Sequence, residues 1–446
     1  SFSGEFGLPP ARFRPGPRPR SAVCVVAAGA FAGAAGAADR CGGRREPRAL
    51  AFPCTCARFP RPARRDRHMS TLTQRSGIIP EPIARQPWEM LIPLALLTCF
   101  GGLVLYSAGG GSMQPFALSH FIRFGVFAVM TAIIAALPRD AVRLLTYPAY
   151  LAVLLLLLAV EIVGQVGGGS QRWLEFGPIR IQPSELMKPA VVLAMARFYE
   201  TLPAGMIGSW RSVLPSGMLI VLPIALVLLQ PDLGTSVAIA FGGVVVMFLA
   251  GLPLWWFLTA MGAGIAALPL IYFFALHDYQ RARVTTFLDP ENDPLGAGYH
   301  IAQSKIAIGS GGIFGKGFNN GTQSHLDYLP EPHTDFVFSS MAEEWGLMGG
   351  LFVLAMYTLI LRWGWKVASE SQDRFCALLA AGATATIFFY IAINLLMVMG
   401  MAPAKGIPLP WMSHGGSSMM TNMICIGLLM MVNRWNREAP RRGLSI

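Results

Sequence analysis

The chain has 446 residues, of which 54% are hydrophobic before glycine is counted and only 13% are charged; a soluble domain carries about 25%. Mean hydropathy is +0.50, and so few charges exclude a soluble enzyme, a disordered scaffold and a coiled coil, leaving a polytopic membrane protein. The net charge of +11 is concentrated in residues 1–68, whose 13 Arg and 4 acids give +9 and leave +2 for the rest, so the basic balance gives no reason to expect nucleic acid as a partner.

Residues 1–68 are rich in Arg, Ala, Gly and Pro and show no hydrophobic period. A transit peptide would be Arg-rich and acid-poor, but this segment is long and holds little Ser. Ala22–Ala38 is apolar enough for a signal core, yet mostly Ala and Gly and short for a span. The expectation is a disordered or artefactual extension, with the membrane domain occupying 69–446 from Met69 onward. Cys24, Cys41, Cys54 and Cys56 lie in the extension. Cys99, Cys376 and Cys425 sit singly in apolar stretches, without metal spacing or a disulfide framework, and read as packing residues.

From Met69 the apolar runs predict ten transmembrane helices, at about 90–108, 117–137, 144–164, 184–200, 213–229, 235–251, 253–275, 336–361, 375–399 and 416–433. The fold class is therefore all-α. The fourth span is the weakest, because Lys188 and Arg197 interrupt it. Counting the N-terminus as inside, the inner segments collect Arg75, Arg85, Arg139, Arg143, Arg211, Arg362, Lys366, Arg374, Arg434, Arg437, Arg441 and Arg442. That places both termini in the cytoplasm. Three short outer loops hold only Lys405. Two other outer loops break the trend: 165–183, with Arg172 and Arg180, and the long loop of about 276–335, with Arg281, Arg283, Lys305 and Lys316. Binding of an anionic ligand would give these cations a purpose.

In the first of these loops lies Ser170-Gln-Arg-Trp173, a cation beside an aromatic. It leads into Gln182-Pro-Ser-Glu-Leu-Met-Lys188, where Pro183 suits a helix start and Glu185 and Lys188, at i and i+3, pair on one face. The pair either stabilises an awkward helix or forms a cavity wall. Gln230-Pro-Asp-Leu-Gly-Thr235 and Pro408-Leu-Pro-Trp-Met-Ser-His-Gly-Gly-Ser-Ser418 put helix breakers at the outer face, tolerated where they line protein or water. In the long loop, glycines bracket Lys305 and Lys316, either as an anion-binding nest or as turns of a compact lid. Glu331-Pro-His-Thr-Asp-Phe336 then enters a helix bearing Glu343 and Glu344. Thr334 reads as its N-cap and Asp335 as its first residue, favoured there by the helix dipole. A charge at mid-membrane costs about 3 kcal/mol, so Glu343 and Glu344 point to a polar cavity opening outward.

Taken together, QRW, QPSE–K, QPDLGT, the run from Asp289 through Gly312, GKG–GTQS, LPE–HTDF and PLP–S–GGSS resemble the SEDS family (shape, elongation, division and sporulation), its elongation members ahead of its division members. The resemblance spans about 85–435, and Pro332, Trp345 and Met412-Ser-His414 depart from it. It implies a membrane glycosyltransferase that polymerises lipid II into glycan strands. The family's essential carboxylate falls on Asp335, its tryptophan on Trp173 and its glutamate–lysine pair on Glu185 and Lys188. Arg172, Arg281, Arg283, Lys305, Lys316, His333, Glu343, Glu344 and Ser417 complete the expected substrate-binding set. A class B penicillin-binding protein and other proteins of the elongation complex are the implied partners. The resemblance fixes no cofactor; Mg or Mn at a substrate pyrophosphate would suit the chemistry, although the sequence shows no dedicated cage. Rival readings are a lipid II flippase and a non-catalytic scaffold for the penicillin-binding protein.

Overall fold

The computed structural model describes residues 86–438 except 168–169, 177–178, 271–272, 275–280, 282–296, 327, 330 and 404–405. The reading of 1–68 and the assignment of Arg283 lie outside the described residues. The described residues belong to one compact unit, Ser76–Ile446. In chain order the helices are α1 (Trp88–Ala108), α2 (Phe116–Ala136), α3 (Arg139–Val163), α4 (Pro183–Thr201), α5 (Trp210–Leu229), α6 (Leu233–Leu249) and α7 (Leu254–Leu270). Within the long loop follow α8 (Ala297–Ser310) and the short α9 (Thr322–His325), then α10 (Val337–Glu370), α11 (Arg374–Val398) and α12 (Gly416–Glu438). All ten expected spans have a helix. Seven of these are long and apolar enough to cross a membrane, α6 and α7 are apolar but have 17 residues each, and α4 is the polar one.

Helix α4 can be polar because it is central. It packs against α3, α5, α6, α11 and α12, and Glu185 and Lys188 are only 7% and 3% exposed. Pro183 occupies its first turn, as expected. By contrast α2 lies at the periphery, presenting Ile122, Val126, Val129 and Ile133 outward, as a lipid-facing helix should. Cys376 and Cys425 are buried, whereas Cys99 faces outward on α1.

The segment expected as a plain loop, 165–183, instead forms a three-stranded antiparallel sheet, β1 (Gln165–Gly167), β2 (Ser170–Phe176) and β3 (Ile179–Ile181), in the order β1-β2-β3. Trp173 pairs with Gln165, and Leu174 with Ile181. Each strand is too short and too mixed in polarity to show a period of two.

Two irregular segments plug the end of the bundle that carries Asp335. Helix α10 breaks at Gly346, with φ 61° and ψ −156°, a conformation open essentially to glycine alone. The two helical bonds that would join Leu347 to Glu343 and Met348 to Glu344 are replaced by four to segment 312–317. Lys316 and Gly317 N–H donate to the Glu343 and Glu344 carbonyls at 3.0 Å each, and Leu347 and Met348 N–H donate to the Gly312 and Ile313 carbonyls at 2.9 and 3.2 Å. Non-helical backbone inside a membrane protein persists where such partners exist. The second plug, 408–413, passes beside Gly101 of α1, where a Cβ would lie 2.6 Å from Met412 Cα. Trp411 and Met412 are almost wholly buried there.

Gly346→Ala should therefore destabilise the protein strongly. The backbone conformation alone costs about 1–3 kcal/mol, and the new Cβ would stand 2.4 Å from Gly315 N and 2.7 Å from Ile313 O. Gly350→Ala, where a Cβ meets only Phe338 Cζ at 3.8 Å, is the control. Thermal unfolding in detergent should separate the two, and equal midpoints would show that the break at 346 is dispensable.

Candidate active site

Asp335 lies in the turn ahead of α10 and not inside the helix. The helix starts at Val337 after a Phe336 N-cap that makes no side-chain bond, which corrects the expectation of Thr334 as cap and Asp335 as first residue. The Thr334 hydroxyl turns back to Glu331 Oε2 at 2.7 Å. The cause is tertiary: the Asp335 carbonyl accepts from Asn394 Nδ2 on α11 at 2.9 Å. The carboxylate itself faces Gly406, where an added Cβ would lie 3.1 Å from Oδ2. Among the described residues no cation forms an ion pair with it. Burial, and secondarily the charge of Glu331, push its pKa up to about 7. Such a carboxyl is half ionised near neutrality, where a general base works best.

His333 stacks on Phe116 with ring centroids 3.9 Å apart, and its carbonyl accepts from His414 N–H at 2.9 Å. Burial lowers the pKa of both imidazoles, that of His414 to about 4 with the Arg123 charge adding to the effect. The His414 tautomer follows from its partners. Arg123 Nη1, always a donor, faces Nε2 at 3.0 Å, so Nε2 accepts and Nδ1–H donates to the Phe116 carbonyl at 3.3 Å. Arg123 also packs on Gly416, where α12 begins and Ser417 stands half-buried in the first turn.

Several expected ligands already have protein partners. Lys188 Nζ lies 2.5 Å from Glu185 and 2.6 Å from the Tyr390 hydroxyl, which in turn donates to Glu185. The pair is thus a buried strut between α4 and α11. Arg172 clamps the sheet to the turn after α5, donating to the Gln230 and Pro231 carbonyls at 3.2 and 2.7 Å, with Asp232 at 3.8 Å. Lys316 Nζ pairs with Glu343 at 2.6 Å, and the same carboxylate accepts from Thr322 N–H at 3.0 Å, capping α9. Glu344 accepts from Ser107 of α1. The expected open cavity at Glu343 and Glu344 is therefore filled by segment 316–323; both carboxylates are almost wholly buried. Lys305 extends along Gly400, its Nζ 2.7 Å from where a Cβ would stand, and Arg281 donates to the Phe273 carbonyl at 2.8 Å. Trp173 is half-buried in β2.

The structure pairs Glu185 with Lys188 and Glu343 with Lys316, while His333 stacks on Phe116 and Asp335 faces Gly406. Asn394, Tyr390, Arg123 and His414 were missed from the sequence. The available signal for the first was a lone amide in an otherwise apolar span. Among the described residues no group of three or more His, Cys, Asp or Glu side chains could hold a metal ion.

Fold and site together define a multi-pass helical membrane protein with a carboxylate-bearing polar end. The chain belongs to the cell cycle protein family of FtsW, RodA and SpoVE, whose model matches residues 88–438. It is 42% identical to the peptidoglycan glycosyltransferase MrdB of Escherichia coli K12, over 78% of this chain and 93% of that protein. To a probable peptidoglycan glycosyltransferase FtsW of Geobacter metallireducens it is 34% identical, over 80% and 97%. Among solved structures, a chain of a peptidoglycan synthase complex superposes with a TM-score of 0.68 at 31% identity, covering 78% of this chain and 98% of that one. The rod shape determining protein RodA of Thermus thermophilus superposes with a TM-score of 0.59 at 29% identity, covering 78% and 96%.

Proposed function

We propose that the chain is a peptidoglycan glycosyltransferase that polymerises lipid II into glycan strands for cell-wall elongation. The observation that carries this reading is Asp335: a half-buried carboxylate facing the Gly406 turn, without a cation partner among the described residues, and with a pKa near neutrality. Asp335 takes the proton of the GlcNAc 4-hydroxyl of one lipid II. That oxygen bonds to C1 of the lipid-linked growing strand as the bond from C1 to the pyrophosphate oxygen breaks. Undecaprenyl pyrophosphate leaves with the bonding electron pair, and C1 inverts. No covalent enzyme intermediate is needed, so one carboxylate suffices. Cations at the same end stabilise the leaving charge.

The protein lies in the bacterial inner membrane, with both termini cytoplasmic and Asp335 facing outward, as the loop arginines and lysines favour. The likeness to a chain of a peptidoglycan synthase complex supports a class B penicillin-binding protein as the partner that cross-links the product. The charge distribution favours polymerase over flippase. Glu185, Lys188, Glu343 and Glu344 stand within a few turns of the Asp335 end, while Arg143, Arg197, Glu200 and Asp373 pair at the opposite helix ends. No charged path joins the two groups among the described residues.

The test uses the purified chain with its class B partner, labelled lipid II in detergent and a β-lactam to block cross-linking. High-molecular-weight glycan is expected. Its absence, alongside lipid II translocation in vesicles, would replace polymerase with flippase.

A further inference from the structure

Asn394 lies on α11 with no exposed surface. Its Nδ2 donates to two backbone carbonyls at once, that of Asp335 at 2.9 Å and that of Ile407 at 2.7 Å. Both facing atoms are acceptors, so the amide's orientation is fixed by chemistry. Oδ1 is buried and, among the described residues, has no hydrogen-bond partner. An orphaned acceptor is unfavourable, and the two bonds made by Nδ2 offset that cost. What the two bonds hold is the surroundings of one carboxyl group. Ile407 follows Gly406, the residue that the Asp335 carboxylate faces. The amide thereby pins both the main chain of the base and the glycine turn opposite it. One turn earlier on α11, the Tyr390 hydroxyl is fixed by Lys188 and Glu185. Side chains at i and i+4 share a helix face, so this face of α11 is anchored to α4 at one level and to the Asp335 turn at the next.

We propose that Asn394 is a positioning residue for glycosyl transfer, holding the Asp335 carboxylate and the Gly406 turn in register, with Tyr390 steadying the same helix face. The inference rests on Asp335 being the general base. Asn394 acts through Asp335, so its loss belongs in kcat and not in KM. A displacement of about 1 Å at a reacting group costs on the order of 10²-fold in rate.

The experiment measures kcat, KM and the pH dependence of lipid II polymerisation by the full chain with its partner, together with thermal unfolding. The variants are Asn394→Leu, Asn394→Asp and Asp335→Asn. Asn394→Leu should lower kcat by about 10–100-fold per folded molecule and leave KM close to the parent value. Asn394→Asp keeps the shape and adds a carboxyl beside Asp335, and a like charge disfavours ionisation. Its activity should therefore rise at a higher pH than the parent's. A purely structural amide would change the amount of folded enzyme but not kcat per folded molecule. That result overturns the proposal. If Asn394→Leu does not fold, kcat per folded molecule of Asn394→Ala decides in its place. An inactive Asp335→Asn beside a fully active Asn394→Leu removes only the positioning role; an active Asp335→Asn removes the base itself.

Discussion

Asp335→Asn is expected to slow polymerisation by about 10²–10⁴-fold, the usual contribution of a general base, while preserving the fold and the affinity for lipid II. The amide has the carboxylate's shape but cannot take a proton. Since burial lifts the pKa of Asp335 to about 7, the parent's rate should climb with pH up to neutrality and then level off, because the ionised form is the active one. Glu331→Gln provides the internal check. Glu331 adds to the upward shift, so removing its charge should move the rise in rate to lower pH. Initial rates across about pH 5–9, bracketing that pKa, would show this. A flat profile, or an Asn variant as fast as the parent, would remove Asp335 from the role of base.

The second large effect is on stability. Lys188→Ala removes one partner of a buried ion pair whose other member, Glu185, is 7% exposed. Leaving a charge uncompensated in the interior costs about 3–5 kcal/mol. The double substitution Glu185→Gln with Lys188→Met removes the stranded charge and should be markedly milder than Lys188→Ala. Thermal unfolding in detergent gives the comparison. A single variant as stable as the parent would mean that water reaches the pair and that α4 is not sealed.

The helices were legible because a span announces itself by length and apolarity, properties that need no knowledge of neighbours. Even α4, with Lys188 and Arg197 in its sequence, was recognisable, although its central place was not. The site was legible in part. The role of Asp335 came from the family resemblance of its HTDF block, whereas the Glu185–Lys188 pair could be read from local spacing, because i and i+3 fix a shared face. The start of α10 was misread because cap signatures are local, whereas the Asp335 turn is held by Asn394, 59 residues away. The same limit explains Arg172, Lys316 and Glu343. Composition marks them as charges needing a partner, but only the fold reveals that Gln230, Thr322 and one another supply it. The break at Gly346 left no mark in the sequence, since glycine is common in transmembrane helices and its φ is set by a loop 30 residues earlier.

That break makes segment 312–317 and the two halves of α10 a single cooperative unit. Lifting the segment away would strand the amides of Lys316, Gly317, Leu347 and Met348 together with four carbonyls, in surroundings with little water to receive them. The segment cannot swing as a flap when substrate enters. Motion at this end of the protein must be borne by stretches not stitched into α10, and these four amides should be among the slowest to exchange with deuterium.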